Sequence, residues 1–280
     1  MIQYLYLGRV AYDEALRLQA ELVELRYQGR VENVLLVLEH PPVLTLGRNA
    51  NRANVLASDA LLASRSVTLH QINRGGDVTY HGPGQLVGYP IFDLRRLRNA
   101  NGGRMGPVDF VRQMEEALIR LCGVYGVRAG RIAGLTGVWC GPAESLDTSR
   151  ESPKIGAIGI HVSRGITSHG FAFNVTTNLD DFRLINPCGL TDRPVTSLER
   201  EVAGHETLPA LESIADQAAT QFGRVFGEQI VAVSSLEDLR SIANAPQAQL
   251  APPRVAEDTP LQVPAEVERL AGKPERPVRA

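Results

Sequence analysis

Apolar residues recur at helical spacing in three long segments of the chain. The first segment spans residues 12–29, the second spans 108–125, and the third begins at Pro209. Apolar positions three or four residues apart predict amphipathic helices that pack one face on a core. Proline suits the first turn of a helix, which supports a helix start at Pro209. A shorter helix is predicted over 59–64.

Shorter apolar runs, bounded by proline, glycine or polar residues, predict a set of β-strands. The predicted strands are 34–39, 43–46, 67–72, 86–92, a short strand around Val138, 155–162 and 170–175. They fall in neighbouring pairs and not in regular β-α-β alternation, which favours antiparallel pairing. We therefore expect an α/β fold of the α+β kind, in which a mixed, largely antiparallel sheet is flanked by helices.

Composition and charge narrow the class of protein and its domain organisation. The 280 residues are 44% hydrophobic and 21% charged with a net charge of −2, which suits a globular enzyme and argues against nucleic acid as a partner. No apolar run approaches the ~18 residues that cross a bilayer, so no membrane is expected. We predict a catalytic domain over 1–245 and a disordered tail over 246–280, because the tail holds seven prolines. The polar segment 141–153 indicates a surface excursion.

The three cysteines indicate a reducing compartment and differ in their settings. Three thiols cannot all pair in disulfides, and the N-terminus lacks a signal-peptide pattern, so a cytoplasmic protein is expected. Cys122 lies on an apolar helix stripe and Cys140 ends an apolar run, which predicts core positions. Cys188 stands between a proline and a glycine, in a turn that can project a thiol into a cleft. A metal site there is disfavoured, because no second Cys or His stands at ligand spacing.

The most informative stretch is the run 74–90, Arg-Gly-Gly-Asp-Val-Thr-Tyr-His-Gly-Pro-Gly-Gln-Leu-Val-Gly-Tyr-Pro. Its five glycines let a backbone turn sharply and approach a ligand closely. Polar side chains stand between the glycines, and apolar strand patterns flank the run. The pattern predicts a polar binding loop held between two strands, because a purely structural turn needs fewer such residues.

Lysine is scarce in this chain, and its one position in the predicted domain is informative. Of 29 basic residues, 27 are Arg and two are Lys, and Lys273 falls in the predicted tail. Arg is not deprotonated in proteins, whereas a buried Lys can shift its pKa and exchange a proton. Lys154 is therefore a candidate for proton transfer, and a chance surface lysine at a strand edge is the alternative.

Several motifs together resemble the lipoyl(octanoyl) transferases, the acyltransferases of lipoate biosynthesis. The run Arg-Gly-Gly-x-x-Thr-Tyr-His-Gly-Pro-Gly-Gln-x-Val-x-Tyr-Pro resembles the signature of that family. Four further blocks agree with it in order. They are Glu-His-Pro-Pro-Val-Leu-Thr-Leu-Gly-Arg at 39–48, Pro-Lys-Ile-Gly-Ala-Ile-Gly at 153–159, His-Gly-Phe-Ala-Phe-Asn at 169–174 and Pro-Cys-Gly at 187–189. The matches span about residues 4–225.

The resemblance implies a fold like that of biotin and lipoate protein ligases, and a two-step acyl transfer without a cofactor or metal. An octanoyl group would pass from acyl carrier protein to Cys188 as a thioester, and then to a lysine of a lipoyl domain. Lys154 would be the catalytic partner, since an ammonium favours the thiolate and a lysine amine can take a proton. The implied substrate-binding residues are Arg74, Gly75, Gly76, Asp77, Val78, Thr79, Tyr80, His81, Ala157, Ile158, Gly159, Gly170, Phe171 and Ala172.

The resemblance also implies protein partners. These are octanoyl-acyl carrier protein, the lipoyl domains of 2-oxoacid dehydrogenase complexes and the glycine cleavage H protein. A monomer is expected, because nothing in the sequence demands a higher oligomer. Both kinds of substrate are acidic, so a basic docking face is expected. The segment 95–131, with eight Arg and three acidic residues, is a candidate for that face. A solvated helix surface is the alternative.

The six histidines divide into two groups. His81 is a candidate for orienting or polarising the reacting groups, and His169 is balanced between a site role and a structural one. The others have no context that suggests chemistry, and we expect structural roles for them. They are His40, His70, His161 and His205.

Three other functions share parts of this pattern. An ATP-dependent lipoate or biotin protein ligase also carries a glycine-rich loop and a critical lysine, but it needs no nucleophilic cysteine. An amidotransferase that moves octanoyl groups between lipoyl domains would share the chemistry and differ in its acyl donor. A non-catalytic protein that binds lipoyl domains is disfavoured, because Cys188 and Lys154 are both present.

Overall fold

The computed structural model describes residues 1–99, 101–142, 152–186, 193–203 and 207–244, and they form two β-sheets flanked by helices. The helices are α1 (Tyr12–Tyr27), α2 (Asp59–Ser64), α3 (Pro107–Val124), α4 (Leu198–Glu201), α5 (Leu211–Phe226) and α6 (Leu236–Asn244). The strands are β1 (Ile2–Arg9), β2 (Asn33–Glu39), β3 (Val43–Leu46), β4 (Thr68–Gln71), β5 (Val78–His81), β6 (Gln85–Ile91), β7 (Ala129–Ile132), β8 (Leu135–Cys140), β9 (Lys154–Ser163), β10 (Ile166–Asn174) and β11 (Ile230–Ala232).

The sheets are mixed and largely antiparallel. The large sheet has the strand order β11-β1-β2-β6-β10-β9-β8-β7, and the small sheet has the order β4-β3-β5. β1 is parallel to β2 and β11, and β3 is parallel to β4, whereas the other pairs are antiparallel. The expected fold class is confirmed.

Helices cover both faces of the large sheet, because β2 is apolar on both sides. Leu35 and Val37 pack with α3 and α5 in one core cluster, whereas Val34, Leu36 and Leu38 pack with α1 in another. Side chains alternate between the faces of a strand, so a continuous apolar run such as this one fits a strand buried on both sides. Within the described residues, none of the helices is long and apolar enough to cross a membrane.

The predicted helices and strands are confirmed to within a few residues at most boundaries. The prediction over 59–64 matches α2, and α5 begins at Leu211, two residues after Pro209. Cys122 and Cys140 are buried thiols in α3 and β8, as predicted. The central part of the excursion, 143–151, and the predicted tail lie outside the described residues.

The glycine-rich run differs from its prediction in one respect. Residues Val78–His81 form strand β5 and pair with β3, whereas a continuous loop was expected. The reason lies in their composition, since Val, Thr and Tyr favour extended backbone even beside glycines. The run thus contains two bends, around Gly76 and Gly84, separated by a strand.

Candidate active site

Small residues face each other across β9 and β10 and form the floor of a trough. Ala157 lies opposite Ala172, and Gly159 lies opposite Gly170, in the antiparallel register of the two strands. Residues directly opposite each other share one face of a sheet. Val87 of β6 lies beside Ala172 in the next pair, on that same face. Ala157 and Ala172 carry only a methyl group, so space is left above this part of the sheet, whereas backbone from neighbouring segments lies close to Gly159 and Gly170.

The glycine-rich run closes over this trough and is held by both sheets. Gly75 N donates a 2.9 Å hydrogen bond to Ile160 O of β9, and Gly47 N donates a 3.0 Å bond to Asp77 O. A Cβ on Gly159 would lie 2.7 Å from Gly75 O, so a side chain there would push the run away from β9. Glycine is therefore needed at this close approach.

A cavity of about 460 Å³ lies between the glycine-rich run and the trough. Most of the residues predicted for the site line this cavity. They are Lys154, Arg74, Gly75, Gly76, Asp77, Val78, Thr79, His81, Ala157, Ile158, Gly159, Gly170, Phe171 and Ala172. The structure thus brings together residues that are spread over about a hundred positions of the sequence.

Lys154 stands at the start of β9, where its backbone is hydrogen-bonded to the segment 194–196. Its N–H donates to Pro194 O and its carbonyl accepts from Thr196 N, each at 2.9 Å. Its Nζ lies 4.5 Å from the centroid of the Trp139 ring, which is 1% exposed. An ammonium over an indole face is attracted by the ring quadrupole. The side chain is therefore oriented within the cavity wall, which favours a site role over a chance surface lysine.

A buried carboxylate holds the strand that faces Lys154. Glu115 of α3 is fully buried, and it accepts hydrogen bonds from Gly137 N at 3.0 Å, Arg131 Nε at 3.1 Å and Arg112 Nη1 at 2.7 Å. A Cβ on Gly137 would lie 2.6 Å from the carbonyl oxygen of the neighbouring β9 and 3.2 Å from Lys154 Cε. Glu115 thereby fixes the backbone of β8 beside the lysine, where Gly137 leaves no room for a side chain.

Cys188 lies outside the described residues, in the segment 187–192. The described chain ends on one side of this segment at Asn186, whose N–H donates to Asn54 O at 2.7 Å. It resumes at Arg193, whose guanidinium carbon lies 5.3 Å from the Trp139 ring centroid. Trp139 thus contacts both Lys154 and Arg193.

His81 presents a neutral ring to the cavity. Gln85 donates through Nε2 to Tyr80 O at 3.1 Å and to Asn174 Oδ1 at 3.0 Å, so its Oε1 is left to accept. The Nδ1–H of His81 donates to that Oε1 at 2.8 Å, which leaves Nε2 as an acceptor. Burial, helped by the nearby His40, lowers the pKa of His81 to about 3. His81 can therefore orient a donor group but cannot hold a proton near neutral pH.

His169 is also neutral and holds two elements together. Its Nε2 bonds to Asn73 Oδ1 at 2.7 Å, and its backbone N–H donates to Gln19 Oε1 of α1 at 2.8 Å. Its φ of +56° is unusual for a residue with a side chain. Burial lowers its pKa to about 4, with a further contribution from the Arg74 charge. His169 lines the cavity and fixes the start of the glycine-rich run.

Aromatic residues and a buried histidine form one part of the cavity wall. Tyr12 and Tyr89 line the cavity together with His81, and the Tyr12 ring stacks on the His81 ring at 6.2 Å between centroids. Behind them, His40 is fully buried, and its two ring nitrogens bond to Val10 O at 2.7 Å and to the Tyr89 hydroxyl at 2.6 Å. His40 therefore supports the wall, and its role is structural, as expected.

A match to known proteins covers most of the chain. Residues 11–223 match the family model of the lipoyl protein ligase A/B catalytic domain. The chain belongs to this family. It is 58% identical over 240 residues to an octanoyltransferase of Acidobacterium capsulatum, across 85% of this chain and 96% of that protein. An octanoyltransferase of Koribacter versatilis is 50% identical, across 85% of this chain and 90% of that protein. The resemblance read from the motifs is confirmed.

Solved structures of the family show the same fold at low sequence identity. The bi-partite lipoate protein ligase of Thermoplasma acidophilum has a TM-score of 0.63 and 16% identity, across 87% of this chain and 91% of that one. A lipoate-protein ligase A bound with ATP has a TM-score of 0.58 and 16% identity, across 87% of this chain and 93% of that one. This similarity shows the fold alone. The much higher identity to octanoyltransferases makes this family member an enzyme of the transferase kind.

Arg74 and Tyr80 of the glycine-rich run form hydrogen bonds within the protein that support the walls of the site. Arg74 Nη2 donates to Thr45 O at 2.7 Å and to Thr45 Oγ1 at 2.9 Å, and its Nη1 donates to Gly75 O at 3.0 Å. Tyr80 is not among the lining residues, because alternation along β5 turns its ring into the cluster below the small sheet. Its hydroxyl donates to Asp181 Oδ2 at 2.8 Å.

Sequence reasoning missed a second set of lining residues. They are Tyr12, Val87, Tyr89, Val111, Gly134, Leu135, Thr136, Ile160, Phe182 and Val195. Val87 and Tyr89 stand inside the quoted motif and could have been found from strand alternation, which places them on the face of Ala172. Ile160 directly follows the predicted residues 157–159 on β9. The others come from distant elements, and nothing in the local pattern marks them.

Most arginines of the arginine-rich segment form salt bridges within the structure. Asp93 pairs with Arg95 and Arg96, and Glu115 and Glu116 together pair with three further arginines of the segment. Those three are Arg112, Arg120 and Arg131. Five of the eight arginines thus have acidic partners, which weakens the case for a basic docking face there.

Proposed function

We propose that this octanoyltransferase works by two-step transfer through a thioester on Cys188, with octanoyl-acyl carrier protein as the donor. The observation that carries the proposal is the placement of Lys154. Its ammonium lies in the wall of a largely apolar cavity, and it shares Trp139 with Arg193, at which the described chain resumes after the segment that holds Cys188. A largely apolar cavity with an oriented ammonium suits an acyl chain that ends in a reactive carbonyl.

In the first step, the Cys188 thiolate attacks the thioester carbonyl of the donor. The bond between that carbonyl and the carrier sulfur breaks, and the carrier thiolate takes the proton of the Lys154 ammonium. Octanoyl-Cys188 and a neutral Lys154 amine remain. A nearby ammonium favours the attacking thiolate, which supports this assignment of Lys154.

In the second step, the amine of a lipoyl-domain lysine attacks the octanoyl-Cys188 carbonyl. An amide bond forms, the Cys188 thiolate leaves, and the neutral Lys154 amine takes the proton that the attacking nitrogen loses. The pair of thiolate and ammonium is thereby restored. His81 and His169 are poor proton carriers here, since their pKa values lie at about 3 and 4.

The strand pairing supports Ile158 as a donor to the developing oxyanion. Ile160 O accepts a hydrogen bond from Gly75 N, so the backbone polar groups of Ile160 point away from β10. In an antiparallel strand, every second residue hydrogen-bonds to the same neighbouring strand. The backbones of Ala157 and Gly159 therefore bond to β10, and the N–H of Ile158, like the carbonyl of Ile160, points towards the glycine-rich run. A donor of this kind is worth about 3 kcal/mol in other enzymes.

The acceptor class follows from the family. The chain acts in protein lipoylation, so lipoyl domains are its acceptors, and those of 2-oxoacid dehydrogenase complexes and of the glycine cleavage H protein belong to the proposal. We place the catalytic domain at 1–245, acting as a monomer in the cytoplasm. The buried thiols Cys122 and Cys140 are consistent with a reducing compartment.

An assay of energy dependence tests the proposal against the ligase alternative. The protein is given a lipoyl domain with either octanoyl-acyl carrier protein alone or free octanoate and ATP. We expect acylation of the domain with the carrier and without ATP. Acylation only with octanoate and ATP would contradict the transferase mechanism.

A further inference from the structure

We propose that Tyr89 forms the end wall of the acyl cavity and limits the length of the acyl chain that the enzyme accepts. The inference rests on the proposed function in one respect: it takes the reacting carbonyl to lie at Lys154. Tyr12 and His81 complete the wall, and His40 holds Tyr89 in place from behind.

The strand register sets the distance between the reacting end and this wall. Phe171 of β10 pairs with Gly88, so Tyr89 lies in the same cross-strand row as Gly170 and its partner Gly159. Lys154 is five residues before Gly159 on β9, two strands away from β6. Strand geometry puts the Cα atoms of Lys154 and Tyr89 about 19 Å apart, from about 16 Å along the strands and about 10 Å across them.

This separation suits a medium-length acyl chain. A lysine side chain bridges about a third of the 19 Å, since four methylene groups separate its Cα from its ammonium. The remaining distance is comparable with the combined length of an extended eight-carbon chain and the Tyr89 ring at its end. The floor of the trough between these ends carries the small side chains of Ala157 and Ala172 and the side chain of Val87.

The wall is rigid, because the Tyr89 ring is hydrogen-bonded from behind and the rings beside it are packed together. The Nδ1–H of His40 donates to Val10 O, so its Nε2 accepts from the Tyr89 hydroxyl at 2.6 Å. Tyr12 packs edge-on against His40 with ring centroids 5.0 Å apart. A tightly packed wall of this kind does not yield to an extra methylene group without strain.

Acyl chain-length profiles of Tyr89 variants test the proposal. The ratio of kcat/KM for decanoyl to octanoyl thioester is measured in the intact protein and in Tyr89→Ala. Removal of the ring should raise that ratio about tenfold, because two more methylene groups can then be buried. Tyr89→Phe keeps the ring and should keep the octanoyl preference. Tyr125→Ala deletes the same side chain outside the cavity and should leave the ratio unchanged.

Binding of free fatty acids separates this proposal from the proposed mechanism. Calorimetric titration with octanoate, decanoate and dodecanoate needs no chemistry at Cys188, and the same shift towards longer acids is expected for Tyr89→Ala. Tyr89→Leu serves as the second variant if Tyr89→Ala fails to fold. An unchanged preference in a folded variant would overturn the proposal, as would an equal shift in Tyr89→Phe.

Discussion

The ammonium of Lys154 lies 4.5 Å from the centroid of the buried Trp139 ring. The indole attracts the cation through the electrostatic field of its ring face. This contact orients a flexible side chain in the cavity wall, as the proposed acid and base role of Lys154 requires.

The variant Lys154→Arg separates the two roles proposed for this side chain. Arg keeps the positive charge that favours the Cys188 thiolate, but it cannot be deprotonated. We expect acylation of the enzyme to persist, because the carrier can leave as a thiolate and take its proton from water when Lys154 cannot supply it. Transfer to the lipoyl domain should fall at least about a hundredfold. Single-turnover measurements of each step check this, with Lys154→Gln as the variant that impairs both. Full turnover by Lys154→Arg would rule out Lys154 as the base.

The variant Glu115→Gln should destabilise the fold. The substitution removes the buried negative charge that balances the positive charges of Arg131 and Arg112. The expected loss of unfolding free energy is about 3 kcal/mol. Glu116→Gln is the matched control, because Glu116 is partly exposed and should cost about 0.5 kcal/mol. Urea unfolding of the two variants measures the difference, and equal losses would mean that burial of Glu115 is not decisive.

The variant Gly159→Ala should damage the cavity. The added Cβ would lie 2.7 Å from Gly75 O and displace the glycine-rich run. We expect weaker octanoate binding by about tenfold or more, measured by calorimetry. Gly123→Ala on α3 is the control, since a Cβ there meets no atom within 4 Å and should stabilise the helix by up to about 1 kcal/mol. Unchanged binding in Gly159→Ala would show that the close approach is dispensable.

Three buried histidines predict a loss of stability in acid. His40, His81 and His169 have pKa values of about 4, 3 and 4, below the ordinary value of about 6.5. Where the folded pKa is the lower one, the unfolded state binds more protons, so unfolding free energy falls as pH drops from about 6.5 towards 4. Each histidine contributes a slope of up to about 1.4 kcal/mol per pH unit. Urea unfolding at pH 7.5 and 5 measures this, and His40→Gln should show a shallower slope. An identical slope in that variant would contradict the assignment.

Local chemistry in the sequence pointed to much of the site. Lys154 could be found because lysine is so rare here, and the glycine-rich run because few folds need so many glycines. Strand β5 escaped notice, since its four residues stand between glycines and only pairing with β3 reveals it. Glu115 and Tyr12 act through contacts with distant elements, which no local pattern encodes.

The intact mass of the protein after mixing with octanoyl-acyl carrier protein shows whether Cys188 carries the acyl group. We expect a gain of one octanoyl group that hydroxylamine removes and that Cys188→Ser lacks. Protein that transfers octanoyl groups to a lipoyl domain without such an adduct, or a Cys188→Ser variant that retains full activity, would contradict this role of Cys188.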